Sequence, residues 1–375
     1  MEPIELGKAI HEWARRHGSL SAPGALSSDV VMGIGAIFEI EAEDSRLLTE
    51  RFQRLKITSV AADPANNTVT ILCRGSVTAA TLKKLPKTAH GIDIRYAGKV
   101  VIDSNPPVVP LSAASGSPLW FTHLDALSCG SSVTAGPVHG AGTLGFLATL
   151  ADGRMVGVSN NHVTGDCNHT PAGMHIMSPA PFDASPASPP PTAVGKHLAL
   201  VPLQSGDPGQ ICLQEMDLAI FEITRPELLS SMQGNGSYDT PPTVANLEGG
   251  MRVKKVGRTT GLRFGTVLGH AVLPISIPYR SASFSSLVYF SDVWSVIGDN
   301  NGTFSEPGDS GSLVVTEDGA FAVGLVFAGG GNVSFIIPIQ KMLAHFNLTL
   351  LSGHNVERPE DDDARDKLAP EAQSA

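Results

Sequence analysis

The chain has 375 residues, of which 42% are hydrophobic and 17% charged, so its length suffices for more than one folded unit with a sizeable core. Its formal net charge is −10 and no basic patch stands out, which argues against a nucleic-acid partner because phosphates are bound through Lys and Arg. No apolar run has the length of a transmembrane helix, so we expect no membrane partner.

The N-terminal part, residues 1–103, is predicted to form a small α+β domain. Residues 4–16 have the apolar spacing of an amphipathic helix and are too polar for a signal peptide. A regulator that responds to a partner, a docking module, a fold-assisting segment and an inert spacer are all compatible with this part. The further predicted elements are strands at 29–41, 56–62, 68–74 and 91–102 and helices at 44–55 and 78–85.

Two segments rich in Pro and Ser predict exposed connections. Residues 104–128 are short on charge and predict a linker, which would be the first place for proteolytic cleavage, including cleavage by the protein itself. Residues 178–192 cannot form a central strand because their prolines lack N–H donors, so they predict a surface loop.

A histidine at the end of a predicted strand is the candidate general base. The strand at 154–159 leads into Asn-Asn-His-Val, which places His162 at its end. Imidazole titrates near neutral pH, so it can take up a proton during nucleophilic attack and return it to a leaving group. At a strand end, however, a histidine is otherwise most often structural.

An acidic residue at the start of the apolar segment 215–223 is the candidate partner of that histidine. A buried carboxylate at Asp217 could accept the imidazole N–H and fix its tautomer. Asp166 lies closer in sequence, but Gly-Asp-Cys-Asn is typical of a solvated turn.

The segment Gly-Asp-Ser-Gly-Ser at 308–312 predicts a nucleophile on a tight turn before an apolar strand. Glycines at 308 and 311 permit backbone geometry in which the amides of Gly308 and Ser310 converge as an oxyanion hole. The α/β-hydrolase pattern G-x-S-x-G is not met, since Ser312 stands where its second glycine would be. On its own, the segment is also compatible with an ordinary turn.

Three segments together resemble the bacterial trypsin/chymotrypsin-like serine proteases. They are Ser-Asn-Asn-His-Val at 159–163, Met-Asp-Leu-Ala-Ile at 216–220 and Gly-Asp-Ser-Gly-Ser at 308–312, in the family's order. A fourth match, Gly-Arg-Thr-Thr-Gly at 257–261, resembles the hairpin that opens the second barrel in these enzymes. The resemblance extends over about 129–350.

The resemblance implies an all-β fold of two six-stranded antiparallel barrels, with a protease domain at 129–352. His162 and Asp217 would lie on the first barrel and Ser310 on the second. The composition suits this fold, since 39 glycines serve short strands and turns. Runs rich in β-branched residues recur at 253–256, 266–272, 287–296 and 322–326.

Asp309 needs a basic partner if it is buried. In animal members of the family a new N-terminus pairs with the acid at this place, but here the barrels begin far from Met1. Because a buried unpaired carboxylate costs several kcal/mol, we expect Lys255 or Arg258 to neutralise it. Surface positions for Asp309 and both bases are the alternative.

The resemblance also indicates which residues contact substrate. Phe304 stands six residues before the nucleophile, where trypsin-like enzymes have an acidic pocket floor, so a preference for Lys or Arg is not supported. The segment 322–330 corresponds to the strand that pairs with substrate, and Phe327, Ala328 and Gly329 would line the pocket. We expect an apolar or small side chain before the scissile bond.

The cysteines and the C-terminal end each allow one further prediction. The spacing of Cys73, Cys129, Cys167 and Cys212 matches no zinc-binding pattern, so we expect reduced thiols in the cytoplasm, with a Cys129–Cys167 disulfide as the alternative. From residue 353 onwards seven acidic residues stand against three basic ones, which predicts a disordered acidic tail.

The sequence thus predicts a serine endopeptidase that acts on protein or peptide substrates and needs no metal or organic cofactor. Two alternatives are a catalytically silent binding module and a protease activated by a partner in a stress or phage-defence pathway. In the second, the N-terminal domain would bind the regulatory partner. A metal-dependent hydrolase is disfavoured because no H-E-x-x-H or similar cluster occurs.

Overall fold

The computed structural model describes residues 1–21, 31–102, 119–136, 140–205, 213–281 and 283–357. Most of the predicted linker, the acidic tail from 358 onwards and Cys212 lie outside these residues. Among the described residues, every helix falls short of the length and apolarity that crossing a membrane requires.

The N-terminal part is an α+β unit, as predicted. Its first helix packs on the first two strands, and one apolar core joins the helices to the sheet. The strand predicted at 29–41 is wrong for 34–38, because Ile34, Ile37 and Phe38 have helical spacing and are buried together on one helix. In chain order the elements are α1 (Pro3–Arg16), α2 (Ile34–Phe38), α3 (Ala42–Leu55), β1 (Ile57–Asp63), β2 (Thr68–Cys73), α4 (Ala79–Leu82), β3 (Thr88–Ala89) and β4 (Ile92–Ala97).

The first barrel unit surrounds an apolar core that includes Leu127, Leu147 and Phe221. Seven of its strands pair in the order β9-β10-β13-β12-β11-β7-β8, and four more in the order β15-β14-β6-β5. The elements are β5 (Thr122–His123), β6 (Ala126–Cys129), β7 (Ser132–Ala135), β8 (Gly142–Thr143), β9 (Phe146–Thr149), β10 (Met155–Ser159), α5 (Asn161–Thr164), β11 (His175–Ser178), β12 (Thr192–Leu200), β13 (Ala219–Ile223), β14 (Leu229–Gln233) and β15 (Tyr238–Asp239).

The second barrel is closed and six-stranded. Its strands follow the order β16-β21-β22-β23-β20-β17, and β16 also pairs with β17. The strand β24 returns to pair with β9 of the first barrel unit. The elements are β16 (Arg252–Gly257), β17 (Gly261–Ala271), β18 (Ile275–Arg280), β19 (Ser285–Phe290), β20 (Trp294–Gly298), β21 (Leu313–Thr316), β22 (Ala322–Gly330), β23 (Val333–Pro338), α6 (Ile339–Phe346) and β24 (Thr349–Leu350).

This arrangement confirms the predicted chymotrypsin-like double-barrel fold. The unit boundaries differ from the predicted ones at both ends. Residues 122–128, predicted as linker, already form strands of the first barrel unit. Residue Gly353, predicted to begin the tail, donates its amide to Asp239 Oδ2 at 2.7 Å.

One insertion was not predicted. Strands β18 and β19 pair with each other as a hairpin between β17 and β20, and Phe290 of β19 also forms a bridge with Gln214. The apolar run predicted at 287–296 is divided by a turn in which Asp292 has a φ of 57°. The hairpin buries Ile277, Tyr279 and Phe290 in the core shared by the two barrels.

The N-terminal unit joins the second barrel through main-chain pairing at two places. Ala61 and Ala62 of β1 pair with Ala271 and His270 of β17, which extends the barrel sheet into the N-terminal sheet. Farther along, the Val101 amide donates to the Gly330 carbonyl at 3.3 Å, and Val100 forms a bridge with Gly331. The last described segment of the N-terminal unit therefore lies along the end of β22.

We expect the N-terminal unit to lose stability below neutral pH through His11. This imidazole is buried in α1, and burial lowers its pKa from 6.5 to about 4. The neutral imidazole of His11 therefore makes its full contribution to the free energy of unfolding above pH 6.5. This contribution is lost as the pH falls from 6.5 toward 4, because the unfolded chain binds a proton that the folded chain does not. At one pKa unit per 1.36 kcal/mol the loss reaches about 3 kcal/mol.

Urea denaturation of the wild type and His11→Gln at pH 7.5, 5.5 and 4.5 measures this contribution. The difference between the two unfolding free energies cancels the pH dependence that comes from carboxylates present in both proteins. The expectation fails if the difference between the two unfolding free energies does not change with pH.

Candidate active site

His162 and Asp217 form a buried pair in the first barrel unit. Imidazole Nδ1 lies 2.5 Å from Asp217 Oδ2, and the His162 amide donates to Oδ1 at 3.2 Å. The imidazole and carboxylate side chains are 1% and 0% exposed, so water does not compete for this contact. Among the described residues, the other ring nitrogen, Nε2, has no hydrogen-bond partner. The ring is thereby held through one nitrogen, and the second is left to act as acceptor.

Short helix α5 carries His162 and is held by three asparagines. Asn160 Nδ2 donates to the Asp217 carbonyl at 2.6 Å, which ties the helix to the segment that supplies the acid. Asn161 Nδ2 donates to the Val201 carbonyl at 2.8 Å and to Asn168 Oδ1 at 2.7 Å. The polar run around His162 therefore has a positional role that the sequence did not reveal.

The turn that carries Ser310 has the backbone geometry expected of its glycines. Gly308 and Gly311 have φ values of 100° and 96°, which side chains rarely adopt. A Cβ on Gly308 would also lie 2.2 Å from Arg258 Nη1. The Ser310 side chain is half-buried. Within the described ranges, neither the Gly308 amide nor the Ser310 amide donates to a protein acceptor, so both are available to a bound group.

Thr143 of the first barrel unit fastens this turn from the opposite side. Its amide donates to the Ser310 carbonyl at 2.8 Å, and its hydroxyl donates to the Gly308 carbonyl at 2.9 Å. The neighbouring Gly142 separates the turn from α5, since a Cβ there would lie 2.4 Å from Val163 Cγ2 and 3.0 Å from the Ser310 oxygen. The Ser310 turn and the His162 helix therefore meet across one glycine. No hydrogen bond joins the Ser310 and His162 side chains in the described parts.

Asp309 is fully buried and lies 2.9 Å from Lys255 Nζ through its Oδ2 atom. Its Oδ1 accepts from the Thr259 amide at 2.9 Å, and its Oδ2 from the Thr260 hydroxyl at 2.7 Å. Burial alone would raise the pKa of Asp309, but the Lys255 charge and these hydrogen bonds lower it below its usual value. The ionised carboxylate thus anchors the Ser310 turn to the β16–β17 hairpin without any chain cleavage.

Arg258, the other base expected beside Asp309, has a different partner. Its Nε donates to Asp183 Oδ2 at 2.8 Å, and its Nη2 contacts Asp183 Oδ1. Both side chains are fully buried. Asp183 belongs to a short 3-10 turn, Pro181–Asp183, in the Pro-rich segment predicted as a surface loop. That segment is therefore pinned against the second barrel, because its one acid satisfies the guanidinium beside Gly308.

Two residues expected to line a substrate pocket instead pack in the core. Phe304 lies inside the second barrel with Val267 and Val296, and its side chain is fully buried. Phe327 packs against Phe290 with the two rings tilted by 53° and their centroids 4.9 Å apart. Phe304 lies in the segment between β20 and β21, whereas Phe327 lies on β22 and faces the core shared by the two barrels. Ala328 and Gly329 lie on β22 and pair with Phe335 and Ser334 of β23.

The described cysteines, Cys73, Cys129 and Cys167, are free and buried. The disulfide considered between Cys129 and Cys167 is not formed, and Cys129 Sγ instead donates to the Ser230 carbonyl at 3.5 Å. In the ranges that the structure describes, no three His, Cys, Asp or Glu side chains cluster so as to hold a metal ion.

Comparison with known proteins finds sequence matches over parts of the chain. Residues 239–349 match the family model of the Nal1 C-terminal domain. Streptogrisin-A from Streptomyces griseus is 34% identical over 122 residues, which cover 31% of this chain. The chain spans 36% of the length of that relative.

Over this stretch the chain is similar to the bacterial chymotrypsin-like serine proteases, which confirms the family resemblance. Among solved structures, Thermobifida fusca protease A is 20% identical with a TM-score of 0.41, and covers 62% of this chain and 100% of its own. The Nocardiopsis protease is 19% identical with a TM-score of 0.40, and covers 61% and 99%.

Loss of Lys255 would leave a buried carboxylate unpaired, so we expect Lys255→Met to lower the free energy of unfolding by about 3–5 kcal/mol. Lys255→Met/Asp309→Asn should recover most of this loss, because no buried charge then remains. Chemical denaturation measures all three proteins. The exposed Lys196→Met serves as the matched control and should change little. Equal stability of Lys255→Met and the control would contradict an ion pair at this site.

Proposed function

We propose that the protein is a serine endopeptidase that cleaves peptide bonds in protein or peptide substrates. The observation that carries the proposal is the buried His162–Asp217 pair, with Nδ1 bonded, Nε2 unpartnered and the Ser310 turn packed against the same helix. Ser310 Oγ is the nucleophile, His162 the general base and acid, and Asp217 the group that orients the imidazole.

The reaction proceeds through an acyl-enzyme. Ser310 Oγ bonds to the substrate carbonyl carbon while its proton passes to His162 Nε2. The amides of Gly308 and Ser310 donate to the oxyanion that forms. When the C–N bond breaks, His162 returns the proton to the leaving amine. Water then attacks the ester by the same route and frees Ser310, so the scheme needs no metal or organic cofactor.

Substrate preference and location follow from the surrounding residues. We propose an apolar or small residue before the scissile bond, because β22 is apolar and position 304 carries Phe instead of an acid. Ala328 and Gly329 would contact the substrate main chain, while Phe304 and Phe327 would act only through the core beneath it. The free, buried thiols of Cys129 and Cys167 support the cytoplasmic location that we propose.

Labelling by a fluorophosphonate probe tests the proposed nucleophile. We expect the wild type to form an adduct on Ser310, Ser310→Ala to form none, and His162→Ala to react at least about 10³-fold more slowly, since the triad acts as a unit. Mass spectrometry of the labelled peptide locates the adduct. A folded wild type that gains no adduct at Ser310, before or after cleavage of the linker, would contradict the proposal and favour a silent binding module.

A partner-activated protease is the second candidate, and one contact favours it. The strand end expected to pair with substrate at Gly330 already accepts the Val101 amide of the N-terminal unit. Displacement of that segment by a regulatory partner, or by cleavage of the 103–118 connection, would free the strand edge.

We expect Val101→Pro to react faster with a peptidyl phosphonate than Val101→Ala does, by about fivefold or more. Proline lacks the N–H that bonds Gly330, and one such hydrogen bond is worth about 1 kcal/mol net. The side chain of Val101 is 48% exposed, so both substitutions spare the core. Second-order labelling rates measure the effect, and equal rates for the two variants would count against a blocked strand edge.

A further inference from the structure

The Asp217 carboxylate has a third donor, which comes from the inserted hairpin. The Tyr279 hydroxyl donates to Oδ2 at 2.7 Å, onto the oxygen that also meets His162 Nδ1. Tyr279 is 1% exposed, so its hydroxyl cannot exchange this acceptor for water. The carboxylate is thus shared between the imidazole of the first barrel unit and a phenol from the hairpin.

The same tyrosine also restricts the imidazole ring. Its ring meets that of His162 edge-on, with centroids 5.4 Å apart and planes at 62°. Burial, together with the Asp217 charge, raises the pKa of Tyr279 well above its usual value, so the phenol stays a neutral donor. One side chain therefore contacts both members of the pair.

The hairpin is built to hold Tyr279 in this place. Ile275, Ile277 and Tyr279 alternate with outward-facing residues and lie buried on one face of β18. On β19, the Tyr289 carbonyl accepts the Gln214 amide at 2.8 Å, and the Ser291 amide donates to the Gln214 carbonyl at 2.9 Å. Gln214 lies three residues before Asp217, so the hairpin is fastened to the segment that supplies the acid.

We propose that Tyr279 is a positioning residue for the His162–Asp217 pair and tunes the basicity of His162 through the carboxylate. This inference rests on the proposed serine-protease function. The phenol disperses the negative charge of Asp217, which lowers the attraction of that carboxylate for a protonated imidazole. It also fixes which carboxylate oxygen faces Nδ1. The hairpin of the second barrel thereby completes a site whose acid and base both belong to the first.

The test is Tyr279→Phe, with Tyr289→Phe as the matched control. Tyr289 lies on the same hairpin with a half-buried side chain, and within the described ranges its hydroxyl does not contact Asp217 or His162. We expect Tyr279→Phe to slow fluorophosphonate labelling of Ser310 by about tenfold on the high-pH plateau, the worth of one hydrogen bond to a charged group. The pH midpoint of labelling should rise, since the undispersed carboxylate charge stabilises the imidazolium. The control should match the wild type in both.

A second readout does not depend on a reactive serine. The proton on His162 Nδ1, identified by the loss of its NMR signal in His162→Ala, should change in chemical shift and in pH midpoint in Tyr279→Phe only. The other titratable groups near the pair, Cys167 and Asp166, are common to all the proteins compared. Thermal unfolding checks that each variant is folded.

The outcomes separate the two proposals. If Tyr279→Phe is folded and leaves both the pH midpoint and the imidazole proton signal as in Tyr289→Phe, the positioning role is overturned, whatever the labelling rate. If the wild type gains no adduct at Ser310, the protease function fails. A changed imidazole signal in Tyr279→Phe would then still establish the role of the phenol toward the pair.

Discussion

A carboxylate that is buried away from water needs hydrogen-bond donors or a positive charge beside it. The candidate site depends on three such carboxylates. Asp217 orients the imidazole, Asp309 anchors the nucleophile turn, and Asp183 pins the Pro-rich segment beside Gly308. Each is buried, and each takes at least one donor from an element distant in the chain. Because leaving such a group unpaired costs several kcal/mol, these contacts position the elements as well as stabilise them. The hydrogen bonds and ion pairs of these carboxylates therefore hold the elements of the candidate site together.

Each of the two barrel units contributes contacts to residues of the other. Thr143 and the His162 helix approach the Ser310 turn from the first barrel unit, while Tyr279 approaches Asp217 from the second. The contacts thus cross between the units in both directions. A shift of one barrel against the other would disturb the acid, the base and the nucleophile turn together.

Much of this architecture could be predicted from local sequence. Runs rich in β-branched residues located strands β16, β17 and β22, and the glycines at 308 and 311 indicated a turn that side chains rarely permit. The pairing of buried charges was harder, because Lys255 and Arg258 are close in sequence and equally basic. Strand alternation with the tight 257–261 turn directs one toward Asp309 and the other toward Asp183, a residue in a segment with no strand pattern.

Tyr279 and Thr143 could not have been found from sequence. Their importance arises only from contacts with residues 62 and 165 positions away, to Asp217 and Gly308. Similarly, position relative to Ser310 predicts a pocket role for Phe304, and the match of segment 322–330 predicts one for Phe327. Packing instead buries Phe304 inside the second barrel and Phe327 in the core shared by the two barrels. Sequence order indicates which strand a side chain is on, but side-chain direction is decided by the closure of the barrel.

The pairing of β1 with β17 has a consequence for how the chain can be divided. Ala271 and His270 meet the N-terminal sheet on one side, so the ten strands form one continuous hydrogen-bonded surface. Taking residues 1–102 away would uncover main-chain donors and acceptors along this edge of β17. It would also expose Val272, which residues of α1 and β1 now cover. An uncovered edge of this kind is a template for strand addition from another molecule. The N-terminal unit thus covers a strand edge that would otherwise be open to pairing with another chain.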